Sequence, residues 1–539
     1  MLEEFFAPEE IAVIGASRTP GKVGHDIVAN LIAGGYNGKI LPVNPNSAAI
    51  AGLDCLRKVG DYGAKIDLGV IAVPKTAVIE AAAAALQGGV RALVVITAGF
   101  KESGPAGMAL EKELAGLCRA KGVRLLGPNC LGLINTDQRL NASFAGGMPK
   151  AGGISVFSQS GALLTAILDL AGGRHLGIAK MISIGNKADL SEIDILQALA
   201  KDEKSRVIVG YLEDISSGDT FIKVAEEVSA RKPLIILKSG TTAAGLKAAS
   251  SHTGVLAGSE TAYGAAFKRS GVVRADTFEG LFDYATAFSM QPLPKGNRVL
   301  IITNAGGPGT MAADAVEKTG MRVAMLARNT ATALRRKLPE AASTGNPVDV
   351  LGDADPERYV TALTAGQDDP EVDAIIVILT PQAMTRPAET ALAIGANLAG
   401  VKPVLVSFMG GLNVMPGRDQ LVALNLPDYP SPERAVAALK AMYEYSLWKN
   451  RPARVVTRFR VNRRRVERII TRRMRSGRYQ IGEVKGKSIL QAYGFQIPAG
   501  HLAVSVDEAV EIAERLGYPV AMKIVSPDIV HKTDLGGVR

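Results

Sequence analysis

The chain has 539 residues, 47% hydrophobic and 21% charged, with 58 glycines and 5% aromatic side chains. That length exceeds one core and implies roughly three to five domains, and the composition excludes a disordered, collagen-like or disulfide-stapled protein. The net charge of +10 would suit a nucleic-acid surface, but residues 451–478 hold twelve arginines against Glu467 alone, so the remainder is close to neutral.

In chain order, the acidic start MLEEFF leads straight into a strand, so no signal peptide is expected. The run IAVIGASRTPGKVGHDIVANLIAGG is an apolar strand, a Gly-rich turn and an amphipathic helix. KILPVNP, DLGVIAVP, ALVVITAGF and VRLLGPN continue as short strands between Ala-rich helices. A second strand-turn-helix unit opens with GGISVFSQSGALLTAILDLA, and RVIVGYLED and PLIILKSG extend it. A third opens with NRVLIITNAGGPGTMAADAVEKTG, and DAIIVILTP and KPVLVSFMG extend it. Strands alternating with helices predict α/β domains with parallel, doubly wound sheets, whose ligands bind at the carboxyl ends of the strands.

Pro/Gly-rich breaks divide the chain at 1–145, 146–292 and 293–450. The arginine-rich stretch 451–483 reads as a solvated basic connector, with a nucleic-acid or membrane surface as the alternative. From 484 to 539 a helix, a helix with an acidic capped start and a strand (VAMKIVSP) are expected, too short a stretch to close a core. No uncharged apolar stretch reaches the roughly 18 residues of a membrane span. Cys55, Cys118 and Cys130 lack metal-ligand or disulfide spacing, which suits a reducing cytoplasm.

The turn at Gly15, Ala16, Ser17 and Arg18, with Lys22 after it, offers helix amides and basic side chains to a phosphate-bearing ligand, or is simply a tight βα turn. The turns Ser158–Gln159–Ser160–Gly161 and Asn304 to Gly309, with Gly306 and Gly307, each present a positive helix end. Converging, the two would hold a phosphate; apart, they are ordinary turns. Glu213, after the strand VIVGYL, is placed to fix a histidine tautomer, or is a solvated loop acid. His252 in ASSHTG and His531 in HKTDLGG each lie among small residues. Each reads as a turn cap or as a nucleophile that a bulky partner can approach.

Taken in order, VIGAS…PGKVG, PVNP, GPNCLG, SQSGAL, NKAD, YLE, KSG…ASSHTG, TNAGGPG, GNPVD and YPVAMKIVSPDIVHKTDLGGV resemble the ADP-forming acyl-CoA synthetases, relatives of succinyl-CoA synthetase. The resemblance implies a CoA-binding Rossmann-like domain, two flavodoxin-like ligase domains, a linker and the incomplete start of an ATP-grasp domain. It implies the reversible reaction acyl-CoA + ADP + phosphate = carboxylic acid + CoA + ATP through an acyl phosphate. His252 would become a phosphohistidine steadied by Glu213 and pass its phosphoryl group to His531. Coenzyme A would lie against the first turn and Val73, Pro74, Thr97 and Asn129, phosphate against residues 158–161 and 304–309, and a nucleotide phosphate against Lys523. Mg2+ ligands would fall outside this segment, and the rest of the ATP-grasp domain would come from the same chain or a separate subunit. The expected partners are small-molecule acyl-CoA and carboxylic acid, with a homo-oligomer such as a dimer, and neither nucleic acid nor membrane. A CoA-coupled lyase and a non-catalytic acyl-CoA sensor are the competing readings; retained His252, Glu213 and His531 argue against the sensor.

Overall fold

The structure is a computed structural model that describes residues 2–242, 244–245, 260–452, 461–477, 480–526, 529 and 532–539. Two compact units divide it, 1–451 and 452–539.

In the first unit, the first sheet is wholly parallel, in the order Lys39–Val43, Glu10–Ile14, Ile66–Ile71, Val90–Val95, Arg124–Leu126. The second sheet orders Val273–Ala275, Leu234–Lys238, Val207–Leu212, Ala151–Ser158 and Ile178–Ser183 in parallel, then adds Gly132–Asn135 and Leu140–Ser143 antiparallel. The third runs Arg322–Val323, Arg298–Thr303, Ala374–Leu379, Val404–Phe408, again parallel. Central strands such as Ala374–Leu379 (AIIVIL) are buried at every residue, which is why they read as continuous apolar runs. The doubly wound α/β class expected from the sequence is the one observed.

Buried side chains cross between the sheets. One cluster joins Ile11, Val13 and Leu68 of the first sheet to Phe157, Ile182 and Ile208 of the second. Another joins Val156 and Val209 of the second to Val299 and Ile301 of the third. This continuity makes residues 1–451 one unit although three sheets build it.

Two features depart from the sequence reading here. The hairpin Gly132–Asn135/Leu140–Ser143 lies before the break placed at 145, yet it hydrogen-bonds to Ile178–Ser183 of the second sheet. The break at 145 is a loop inside that sheet, because a four-residue strand finds its partner by pairing and not by sequence punctuation. In the second unit, the arginine-rich stretch expected as a solvated basic connector carries a largely exposed helix, Arg463–Arg475. The Asn462 side chain caps it by accepting from Arg465 N at 3.1 Å, and Val466 is buried beneath it. Glu483–Ala492 and Val506–Leu516 form the two expected helices, the second capped by Ser505. The expected strand VAMKIVSP is reduced to a single bridge, Lys523 to Val538, with Met522 and Val525 exposed.

Candidate active site

The order of the first sheet reverses between Glu10–Ile14 and Ile66–Ile71, and the crevice at the carboxyl ends of those strands is where a doubly wound fold takes a ligand. The sequence shapes that crevice by close approach. Gly15 has φ +89°, and a Cβ there would lie 2.6 Å from the Ala72 carbonyl oxygen; one on Gly24 would lie 2.1 Å from the Gly15 carbonyl oxygen. Asn44 donates to the Ala16 carbonyl at 2.7 Å, and Ser17 Oγ accepts from Thr19 N at 3.1 Å. Arg18 and Lys22 are exposed just ahead of the helix Val23–Ala33. Thr97 Oγ1 donates to the Val73 carbonyl at 2.6 Å, and Asn129 N donates to the Thr97 carbonyl at 3.0 Å, which ties three strand ends together.

The second sheet reverses between Ala151–Ser158 and Val207–Leu212. Ser158 Oγ closes the turn, donating to the Ser160 carbonyl at 2.8 Å and accepting from Ser160 N at 3.0 Å. Ser160 Oγ then caps the helix Gly161–Gly173 through Leu163 N. The opening amides of that helix have no intrahelical acceptor and face outward with its positive dipole end. Across the reversal stand Glu213 and Asp214. Gln159 Oε1 accepts from Glu213 N at 2.5 Å and from Asp214 N at 3.0 Å, while its Nε2 donates to the Asp214 carboxylate. Burial would raise the Asp214 pKa, but Lys187 and the Gln159 hydrogen bond outweigh it and hold the carboxyl below its ordinary range. Lys187 is itself buried, 3.0 Å from both Asp214 and Glu192.

The two crevices meet in one cleft of about 640 Å3. Val73, Thr97 and Asn129 line it from the first domain, and Gln159, Ser160, Gly161 and Glu213 from the second. Gly15, Ala16, Ser17, Arg18, Lys22, Pro74 and Ser158 lie outside its lining, although Val23 beside Lys22 is part of it. Lys101, Asn186 and Phe144 also line it. Asn186 Nδ2 donates to Glu102 at 2.6 Å and Glu111 at 2.7 Å, and Asn129 donates to Asn186 Oδ1 at 3.2 Å. Cys130 lines the cleft too, but burial pushes its thiol up to about 12, so it stays protonated and a poor nucleophile.

The cleft lies between two domains that known protein families share. Residues 9–136 match the CoA binding domain, 151–288 the succinyl-CoA ligase like flavodoxin domain, 299–454 the Ligase-CoA domain and 472–539 the ATP-grasp domain. The acetate–CoA ligase [ADP-forming] I of Archaeoglobus fulgidus is 41% identical over all of this chain and 77% of its own length. The chain belongs to the ADP-forming acyl-CoA synthetase family. The alpha subunit of the Pyrococcus furiosus acetate–CoA ligase [ADP-forming] I is 40% identical over 83% of this chain and 98% of its own length. The dinucleotide forming acetyl-coenzyme A synthetase 1 of Ca. Korarchaeum cryptofilum, solved with phosphate and ADP, matches with TM-score 0.80 and 38% identity over 83% of this chain and 97% of its own. As a member of this family the protein is an ADP-forming acid–thiol ligase with a CoA binding domain.

The remaining candidates of this synthetase fall elsewhere. Asn304, buried, donates to the Thr380 carbonyl at 3.0 Å and accepts from Thr380 N at 2.9 Å. Gly306 and Gly307 are exposed at the start of Gly306–Lys318, and Gly309 packs on Thr303 and Pro347. No residue of 304–309 lines the cleft, so it brings one of the two helix ends to Glu213 and not the pair. In the second unit, Lys523 is 3.2 Å from Glu483, which also meets Lys532 at 2.7 Å. These lysines hold the Glu483 carboxyl down to about 2. His252 and His531 lie outside the described residues. Among the described residues no three His, Cys, Asp or Glu side chains group as a metal site, and no helix is long and apolar enough to cross a membrane.

Sequence reasoning missed Lys101, Asn186, Phe144 and the Lys187–Glu192 pair. Asn186 and Lys187 stand in the quoted NKAD run, whose chemistry becomes visible only once Asp214 is folded against it.

Proposed function

We propose that this cleft performs the first half of reversible ADP-forming acyl-CoA synthesis. The acyl-CoA thioester lies along Val73, Thr97 and Asn129, and phosphate lies at the amides that open Gly161–Gly173. A phosphate oxygen attacks the thioester carbonyl, the C–S bond breaks, and the CoA thiolate leaves and takes a proton. An imidazole nitrogen of His252 then attacks phosphorus, and the P–O bond breaks to release the carboxylate. Glu213 accepts the N–H of the other imidazole nitrogen and fixes the tautomer. His531 receives the phosphoryl group and delivers it to ADP.

The observation that carries this reading is the single cleft in which CoA-domain strand ends, a helix N-terminus and Glu213 meet. Helix amides and alignment supply what phosphoryl transfer needs most, charge stabilisation and positioning.

The test is a panel of acyl-CoAs incubated with the 539-residue chain and radiolabelled phosphate. At least one acyl-CoA should give acid-labile, base-stable label that His252→Asn abolishes. Label that survives His252→Asn, or none with any acyl-CoA, overturns the reading.

A further inference from the structure

Gln159 stands in the turn that faces phosphate, yet all three hydrogen bonds described for its amide go to protein. Its oxygen accepts from the backbone N–H of Glu213 (2.5 Å) and of Asp214 (3.0 Å), and its nitrogen donates to the Asp214 carboxylate. An amide oxygen has two acceptor sites, and both are taken.

The same peptide is held from behind. Buried Lys238 donates to the Glu213 carbonyl at 2.7 Å and sits 4.4 Å above the Tyr263 ring. Lys187 donates to the Asp214 carbonyl at 3.2 Å and pairs with its carboxylate at 3.0 Å. Glu192, fully buried, anchors Lys187 in turn, and its carboxylate accepts from Ser216 N at 2.7 Å.

The third domain supplies an internal comparison. Asn304 bridges its own sheet reversal to one residue, accepting from Thr380 N and donating to the Thr380 carbonyl, where no carboxylate follows. An amide that spans a sheet reversal therefore recurs in both domains, beside carboxylates in one and beside an uncharged threonine in the other.

We infer that Gln159 is a positioning residue: it locks the Glu213–Asp214 peptide against the helix Gly161–Gly173 and so sets where the Glu213 carboxylate stands. This rests on the role proposed for Glu213 above. A displacement of about 1 Å at a reacting centre costs about 100-fold in rate, so three bonds that fix one peptide are enough to matter.

The experiment is a double-mutant cycle on the full chain. It reads the rate of His252 labelling by the best acyl-CoA of the panel and radiolabelled phosphate, with acyl-CoA affinity and thermal midpoint measured alongside. Gln159→Met should slow labelling about 100-fold with affinity unchanged. Glu213→Gln should also slow it, and adding Gln159→Met to Glu213→Gln should then have no further effect. Gln159→Glu keeps the two accepted bonds and serves where Gln159→Met unfolds. It places a second carboxylate beside Asp214, so its rate relative to wild type should recover as the pH falls and that carboxyl regains a proton to donate. Equal fractional losses from Gln159→Met in both backgrounds would assign Gln159 to phosphate and overturn the inference, as would no loss at all. An unaffected Glu213→Gln chain would instead sink the Glu213 reading, and this inference with it.

Discussion

The second and third domains build the same turn and surround it with different chemistry. Ser158 and Thr303 end equivalent strands, and each hydroxyl clamps the residue two positions on, at 2.8 Å to the carbonyl of Ser160 and of Ala305. Gln159 and Asn304 follow, and each amide reaches across the sheet reversal. Gly161 and Gly306 then open the helices. What differs is the partner: Glu213 and Asp214 backed by buried Lys187 and Glu192 in one case, uncharged Thr380 in the other. A shared scaffold meets charge where the neighbouring strand ends in Glu213 and Asp214, and a neutral hydroxyl residue where it ends in Thr380.

The largest effect should come from the charge behind the second turn. Lys187 neutralises two carboxylates while only 3% of its side chain is exposed, and Glu192 is fully buried. Lys187→Met leaves those carboxylates without their cation, so the chain should lose about 3–5 kcal/mol, seen as a lower denaturation midpoint. An unchanged midpoint would mean that the ion chain is incidental and the two turns are energetically alike.

Next in size is a matched pair. Asn304→Leu and Gln159→Met each delete an amide that bridges a sheet reversal, and each should destabilise the chain by about 1–3 kcal/mol through backbone groups left unpaired. Similar losses at neutral pH would confirm a common scaffold; a loss confined to one of them would break the equivalence.

This pairing shows what the sequence could and could not reveal. SQSGAL and TNAGGPG are legible as turns because apolar strand runs and small helix-opening residues flank them. Whether their helix ends meet at one point depends on how three sheets pack, and no local pattern encodes that packing. Of the two runs, Gln159, Ser160, Gly161 and Ala162 reach the cleft, all from the first. Gly15 and Gly24 were visible as glycines, but the carbonyls that forbid a side chain belong to Ala72 and Gly15, brought close only by the fold. Lys187 was invisible for the opposite reason. A lysine in a polar run looks solvated until Glu192 and Asp214 close over it.

The smallest expected effect separates the turns by pH. Lys187 and Gln159 hold the folded Asp214 pKa below its ordinary 3.8. The stabilisation this group contributes is therefore complete above pH 3.8 and is lost as pH falls through its folded value. The amides of Glu213 and Asp214 should lose hydrogen-exchange protection, after correction for intrinsic rates, over that acid window. The Thr380 amide, held by the neutral Asn304 side chain at 2.9 Å, should show no such local transition above the global one. Parallel loss at both turns would mean that Asp214 contributes nothing local, and that the difference between the domains lies in catalysis alone.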